Sequence, residues 1–248
     1  MTILPGTRNQ FDGMVVDTES LPDDPIEFRN ILSDSLDRWR SEGIRLVWIS
    51  IPIGKSTLVP SAVSLGFVYH HADERQLELT YSIESGTHVP PFATHYVGAG
   101  GVVVRDDGYI LVVSERHRGS WGRHYKLPGG ALDAQEHISD AVRREVKEET
   151  GIDTEFESLV CFRHWHGYRH GKSDIYFVCR LKPTSFEITA DSSEIDECLW
   201  MPVQEYLSHP DVHPFNRRIV QAAISTPGIR PASIEGYGKP ETHELFIP

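Results

Sequence analysis

The stretch LPGGALDAQEHISDAVRREVKEETGI, residues 127–152, decides how this chain is read. Its segment RREVKEE (143–149) sets Glu145, Glu148 and Glu149 inside five positions. Apolar periodicity predicts a helix from about Ala134 to Thr150, stopped by Gly151. At about 100° per residue, Ile138, Ala141, Val142 and Ile152 share one face. The three glutamates fall on the same side, within an arc of roughly 100°. A solvated acidic face belongs opposite the apolar stripe, yet these acids continue it along the axis. They are therefore expected to point at least partly inward, where uncompensated carboxylates repel each other and are costly to desolvate. A divalent cation held by hard oxygen ligands would remove the conflict. A structural ion-pair network, with Arg144 and Glu148 paired at i, i+4, would do so too. Geometry alone leaves both readings open.

The bulk numbers narrow the class. The chain has 248 residues, room for two small domains. Hydrophobic content of 39% with 24% charge is that of a globular protein. A formal net charge of −12 disfavours general nucleic-acid binding, although a metal and a few local cations can still hold a small polyanion. Cys161, Cys179 and Cys198 form neither a disulfide framework nor a zinc spacing. There is no basic leader with a long apolar run, and no stretch approaches about 18 apolar residues. The expected compartment is the cytoplasm, with the nucleus left open and no membrane partner.

Working outward, the first 85 or so residues read as a small α+β unit. FDGMVVDT (11–18) and IRLVWISIPI (44–53) read as strands, with a helix between them from Pro25 to Arg40. TLVPSAVSLGF (57–67) reads as a second helix, and FVYHH (67–71) with QLELTYSI (76–83) as a hairpin. SGTHVPPFATH (85–95) is the linker candidate. YVGAGGVVV (96–104), the turn RDDG and YILVVSE (109–115) then read as a hairpin, followed by a basic loop, RHRGSWGRHYK (116–126). Strands are expected at 156–162, 173–181 and 198–203 and a helix at 214–224; the tail from Thr226 shows no clear period. The expected boundaries are 1–91, 92–225 and a Gly/Pro-containing tail, 226–248.

Gly130, Glu136, Arg144-Glu145-Val146, Glu148-Glu149 and Gly151-Ile152 fill every fixed position of the Nudix box, GX5EX7REUXEEXGU with U apolar. Chance agreement at nine such positions is roughly 10⁻¹⁰ per start site. The chain therefore resembles the Nudix hydrolases. FDGMVVD, LVPSAVSLGFVYHHA and KSDIYFVCRLKP extend the resemblance, from about Phe11 to Tyr206. They point to a subgroup that includes the vertebrate antisense fibroblast-growth-factor protein and plant hydrolases of ADP-ribose and NADH. One departure is Tyr125, where many relatives have Trp.

The resemblance implies an α/β/α sandwich with a mixed sheet, preceded by a small α+β pre-Nudix domain of acetyltransferase-like topology. It implies Mg²⁺- or Mn²⁺-dependent hydrolysis of the pyrophosphate bond in nucleoside diphosphate derivatives, with ADP-ribose or NADH foremost. Glu145 and Glu149 match its principal metal-ligand positions, with Glu148 and the Gly129 carbonyl contributing. Arg144 and Glu136 match positions that orient the helix. The proton-accepting base varies within the family between this helix and a later loop, where Glu194 and Glu197 stand. Lys126, Arg163, Arg169 and Lys172 are candidate phosphate contacts, and Trp165 and Tyr168 candidate stacking residues. His164, His166 and His170 lack a partner at zinc spacing. The N-terminal unit has no Gly-rich acetyl-CoA loop; dimer formation by it is an expectation from fold analogy. The alternative class is a regulatory binding protein that keeps the fold, and within the enzymes a nucleotide sugar, CoA, capped RNA or inositol pyrophosphate is the alternative substrate.

Overall fold

The computed structural model describes residues 2–116 and 124–248. The chain divides into two compact units, Met1–Ala93 and Thr94–Pro248.

The first unit contains β1 (Gly6–Arg8), β2 (Gly13–Val16), α1 (Pro25–Ser41), β3 (Leu46–Pro52), α2 (Val59–Ser64), β4 (Val68–Ala72) and β5 (Gln76–Ser82). The strands form one mixed sheet, ordered β1-β2-β3-β5-β4. Helix α1 starts where the sequence provides a cap: the Asp24 carboxylate accepts from the N–H groups of Ile26 and Glu27, and Pro25 opens the first turn. Phe28, Leu32, Leu36 and Trp39 then recur every three or four residues and are buried against Val47, Ile49 and Ile51 of β3. Each such side chain contributes about 1.5–3 kcal/mol of burial free energy. The expected hairpin is present as β4 and β5; β1, whose three residues are all exposed, carries no hydrophobic signal and escaped the sequence reading.

The second unit runs β6 (His95–Val103), β7 (Tyr109–Glu115), β8 (Gly129–Ala131), α3 (Ile138–Thr150), β9 (Thr154–Trp165), β10 (Ser173–Pro183), β11 (Ile195–Pro202), α4 (Val203–Ser208), α5 (Pro214–Ser225), β12 (Arg230–Pro231) and β13 (Phe246–Ile247). A four-stranded mixed sheet has the order β8-β6-β10-β9, with β6 and β10 parallel and the other pairs antiparallel. The expected hairpin of β6 with β7 does not form a common ladder. The turn at Arg105–Gly108 is present, but beyond a bridge from Val104 to Ile110 the strands separate, and β7 pairs with β11. Each strand instead buries both faces. Ala99 and Val103 of β6 and Leu111 of β7 join Val142 and Val146 of α3 in one core. Val102, Ile110 and Val112 join Ile219 and Val220 of α5 in another. Helices thus cover both faces, which explains why the strands read as continuous apolar runs. Gly101 permits the close approach of α3, since a Cβ there would lie 2.9 Å from Val146 and 2.8 Å from Leu181.

Helix α3 begins at Ile138, later than the apolar periodicity suggests, and ends at Gly151, whose φ of 76° is left-handed. The aperiodic tail packs within this unit: β12 pairs with β13, Leu159 bridges to Ile229, and the Phe246 ring packs at a tilt against Phe156. Of the basic loop, residues 117–123 lie outside the described residues. No helix among the described residues is long and apolar enough to cross a membrane.

Candidate active site

Glu149 sits on the buried face of α3 with only 6% of its surface exposed. Its carboxylate accepts the Gly129 N–H at 2.8 Å and lies 3.4 Å from the Lys126 ammonium. Gly129 makes this possible. It has φ 147°, and a Cβ there would lie 2.3 Å from the Ala99 carbonyl oxygen. One turn earlier, Glu145 rests over Gly130, where a Cβ would come within 2.5 Å of its carboxylate. The two glycines of LPGG therefore clear the space that two partly buried carboxylates occupy.

Arg144 organises the outer side. It takes Glu136 in a bidentate grip at 2.8 and 2.9 Å, and also donates to Glu145 at 2.9 Å and Glu148 at 3.0 Å. A further bond reaches the Ala131 carbonyl. Those hydrogen bonds from Arg144 hold the Glu136 carboxyl below the usual glutamate range. The Glu136 bonds likewise make the Arg144 guanidinium still harder to deprotonate. The inward pair behaves differently. Burial pushes the carboxyls of both Glu145 and Glu149 up, against the opposing pull of Arg144 on one and of Lys126 and the Gly129 N–H on the other. For Lys126, burial acts downward, but Glu149 and Glu115, the latter at 2.6 Å, outweigh it and the ammonium is stabilised.

Glu148 departs from the sequence expectation. Its side chain is 61% exposed, so only two of the three glutamates turn inward. It lies at the edge of the arc, where the Arg144 bond draws it to the surface. Among the described residues, no three His, Cys, Asp or Glu side chains stand together in a metal-holding arrangement. Arg144 and Lys126 take up the acidic oxygens instead. The chemistry of the donor set nevertheless suits a hard divalent cation: Glu145 and Glu149 offer carboxylate oxygens a turn apart, and burial makes their unshared charge unfavourable.

Beside Gly129 and Lys126 opens a cleft of about 940 Å³. Leu127, Arg163, Trp165 and Tyr176 line one part, and His213, Phe215 and Asn216 at the start of α5 another. Arg163 is bound by Asp174 at 2.5 Å, and its guanidinium lies 5.3 Å from the rings of Trp165 and Phe215 and 5.5 Å from that of Tyr176. Thus Lys126, Arg163 and Trp165 share the cleft, whereas Lys172 does not line it and sits at the turn before β10. Tyr168 and Arg169 belong to that same turn, outside the cleft lining. Glu194 is exposed in the turn before β11, its backbone carbonyl taken by the Arg116 N–H. Glu197 accepts the Tyr125 hydroxyl at 2.7 Å. His164 contacts His95 at 2.9 Å and His166 contacts Ser173, while His170 lies in the turn. Sequence reading assigned no role to Tyr176, Phe215 or Asn216. Strand alternation could have placed Tyr176 beside Arg163, but the arrival of α5 at the same cleft is a tertiary event.

Comparison with known proteins agrees with this layout. A family model described as the Nudix hydrolase domain matches residues 4–83, and one described as the NUDIX domain matches residues 94–223. Nudix hydrolase 8 of Arabidopsis thaliana is 40% identical over 84% of this chain, which spans only 58% of that relative. Nudix hydrolase 2 of the same plant is 41% identical over 85% of this chain and 76% of its own length. The human nucleoside diphosphate-linked moiety X motif 6 is 36% identical over 89% and 72%. With both units matched by family models and relatives about 40% identical over most of its length, this chain belongs to the Nudix hydrolase family.

Proposed function

We propose that the protein is a divalent-metal-dependent pyrophosphohydrolase of nucleoside diphosphate derivatives, with ADP-ribose and NADH as its foremost substrates. The observation that carries this reading is Glu149, a buried carboxylate one turn from Glu145 that is held by Gly129 and Lys126, two residues lining a cleft they share with Arg163. The name of the human relative, which refers to a nucleoside diphosphate-linked moiety, points the same way.

Glu145 and Glu149, with the Gly129 carbonyl, would hold Mg²⁺ or Mn²⁺, and Glu148 would contribute from the rim. Such an ion supplies neutralisation of the pyrophosphate charge and polarisation of the attacking water. The remaining work falls to the chain. Lys126 and Arg163 offset the substrate's charge in an otherwise acidic protein. Trp165, 48% exposed at the cleft, offers a face on which a planar base can stack. Arg144 is a positioning residue, because its donors are engaged with Glu136, Glu145, Glu148 and Ala131. Glu148, the exposed member of the triplet, accepts the proton of the water; Glu194 is the second candidate for that role. The water oxygen forms a bond to one phosphorus, the bridging P–O bond breaks, and the products are a nucleoside monophosphate and a phosphorylated partner group.

The test is Glu149→Gln, assayed against ADP-ribose, NADH, nucleotide sugars, CoA and capped RNA with Mg²⁺ or Mn²⁺. A fall in kcat/KM of ~10²-fold or more is expected. Unchanged turnover would remove the mechanism. A wild type that cleaves nothing on the panel would favour a regulatory binding protein.

A further inference from the structure

Strand β6 carries two glycines, Gly98 and Gly100, on one face and a third, Gly101, on the other. Gly101 serves the packing of α3. The other two serve Tyr176. This residue pairs with Gly98 across the β6–β10 ladder and with Arg163 across β10–β9. Its ring lies over the glycine lane. A Cβ on Gly98 would sit 3.3 Å from the ring, and one on Gly100 would sit 1.8 Å from the hydroxyl oxygen. No other residue at position 100 leaves the phenol where it is.

The hydroxyl so placed is unused. Tyr176 makes no side-chain hydrogen bond among the described residues, although it lines the cleft with Gly129, Lys126 and Arg163. Burial, followed by the nearby Glu149 charge, raises the phenol's pKa well above its ordinary value, so the proton stays on oxygen. A phenol that keeps its proton and meets no acceptor among the described residues is a donor open to a ligand in the cleft.

We infer that the Tyr176 hydroxyl is a substrate-binding donor, held over Gly100 to give one hydrogen bond to an anionic oxygen of the pyrophosphate group. The inference rests on the pyrophosphohydrolase reading for its ligand, but it concerns binding and is tested by binding. Hydrogen bonds to charged acceptors are worth enough for a loss of ~10-fold or more.

The experiment is calorimetric titration of the whole protein with inorganic pyrophosphate in Mg²⁺, on wild type, Tyr176→Phe and Gly100→Ala. Tyr176→Phe keeps the ring, so its melting temperature should match wild type while affinity falls ~10-fold. Gly100→Ala displaces the hydroxyl without removing it and should weaken binding similarly. In turnover, Tyr176→Phe should raise KM more than it lowers kcat. Wild-type affinity in Tyr176→Phe, or a wild type that does not bind pyrophosphate, overturns the inference. Weakened pyrophosphate binding by Tyr176→Phe in a protein that hydrolyses none of the panel would sustain it and sink the hydrolase reading instead.

Discussion

Helices α1 and α3 are both amphipathic and both packed on a sheet, yet they are built to different ends. The buried face of α1 is Phe28, Leu32, Ser35, Leu36 and Trp39, and its one polar member, Ser35, is satisfied by bonds to Leu4 N–H and the Ile31 carbonyl. The buried face of α3 is Ala141, Val142, Val146, Glu149 and Thr150, and Glu149 is a carboxylate whose burial is only partly offset. The caps differ as well. Asp24 caps α1 from the adjoining residue. His137 gives α3 no side-chain cap; Glu244 does so from more than a hundred residues away, accepting from Ile138 N–H and from the Ser139 N–H and hydroxyl. One helix is locally self-sufficient and serves stability. The other departs from local consistency where chemistry is expected, as functional sites tend to do.

The contrast breaks most severely if the same charge is moved. Leu32→Glu places a carboxylate on the buried face of α1 without Arg, Lys or N–H partners. A loss of about 4 kcal/mol is expected, from the lost aliphatic contacts and the desolvated acid together. Calorimetry of the whole chain would detect it as early melting; an unaltered thermogram would mean that a buried acid is tolerated anywhere and that Glu149 is unremarkable. Next comes Arg144→Met, which leaves Glu136 and Glu145 without their cation. The site is partly open, so the expected loss is about 2 kcal/mol in urea unfolding, below that for a fully buried pair. kcat/KM should fall by ~10-fold or more as the carboxylates drift. The caps make a subtler pair. Asp24→Ala and Glu244→Ala should each cost about 1 kcal/mol. Only the second should also lower kcat/KM, because it alone frays the helix that carries Glu145 and Glu149. Equal activity in both variants would reduce the tail to a stability element.

Whether a feature was legible in the sequence follows the same division. Helix α1 and the β4–β5 hairpin were readable because their signals are local: a stripe at helical spacing beginning at Pro25, and a polar turn between alternating strands. The box residues were readable as a motif, and the inward turn of Glu145 and Glu149 from the helical wheel. The outward turn of Glu148 was not, since it depends on where Arg144 reaches. Separation of β6 from β7 was hidden because a hairpin turn specifies the reversal, while the continued pairing is decided by competition with β8, β10 and β11. Lys172 looked equivalent to Arg163 by charge. Only the register of β9 with β10 shows that Arg163 faces the cleft and Lys172 belongs to the turn. The cap from Glu244 had no local signal at all.

The smallest expected effect bears on the two readings that the glutamates allow. Burial holds the carboxyls of Glu145 and Glu149 above the ordinary 4.5, so they cost nothing when protonated and become unfavourable as pH rises through their folded values. Glu136 runs the other way, stabilising above 4.5 and losing that contribution only as pH falls. Lys126 contributes throughout this range and loses its contribution only above 10.5. Among these shifted groups, then, the change that destabilises as pH rises above 4.5 comes from the two inward acids. A cation binding them requires both deprotonated. Mg²⁺ should therefore raise the melting temperature more at pH 8 than at pH 5, by a stabilisation of about 0.4 kcal/mol when its concentration equals its dissociation constant. Glu149→Gln should lose most of that response. If Mg²⁺ stabilises equally at both pH values, or if the variant responds as the wild type does, Arg144 and Lys126 are the permanent partners of these carboxylates and the array is an ion-pair network.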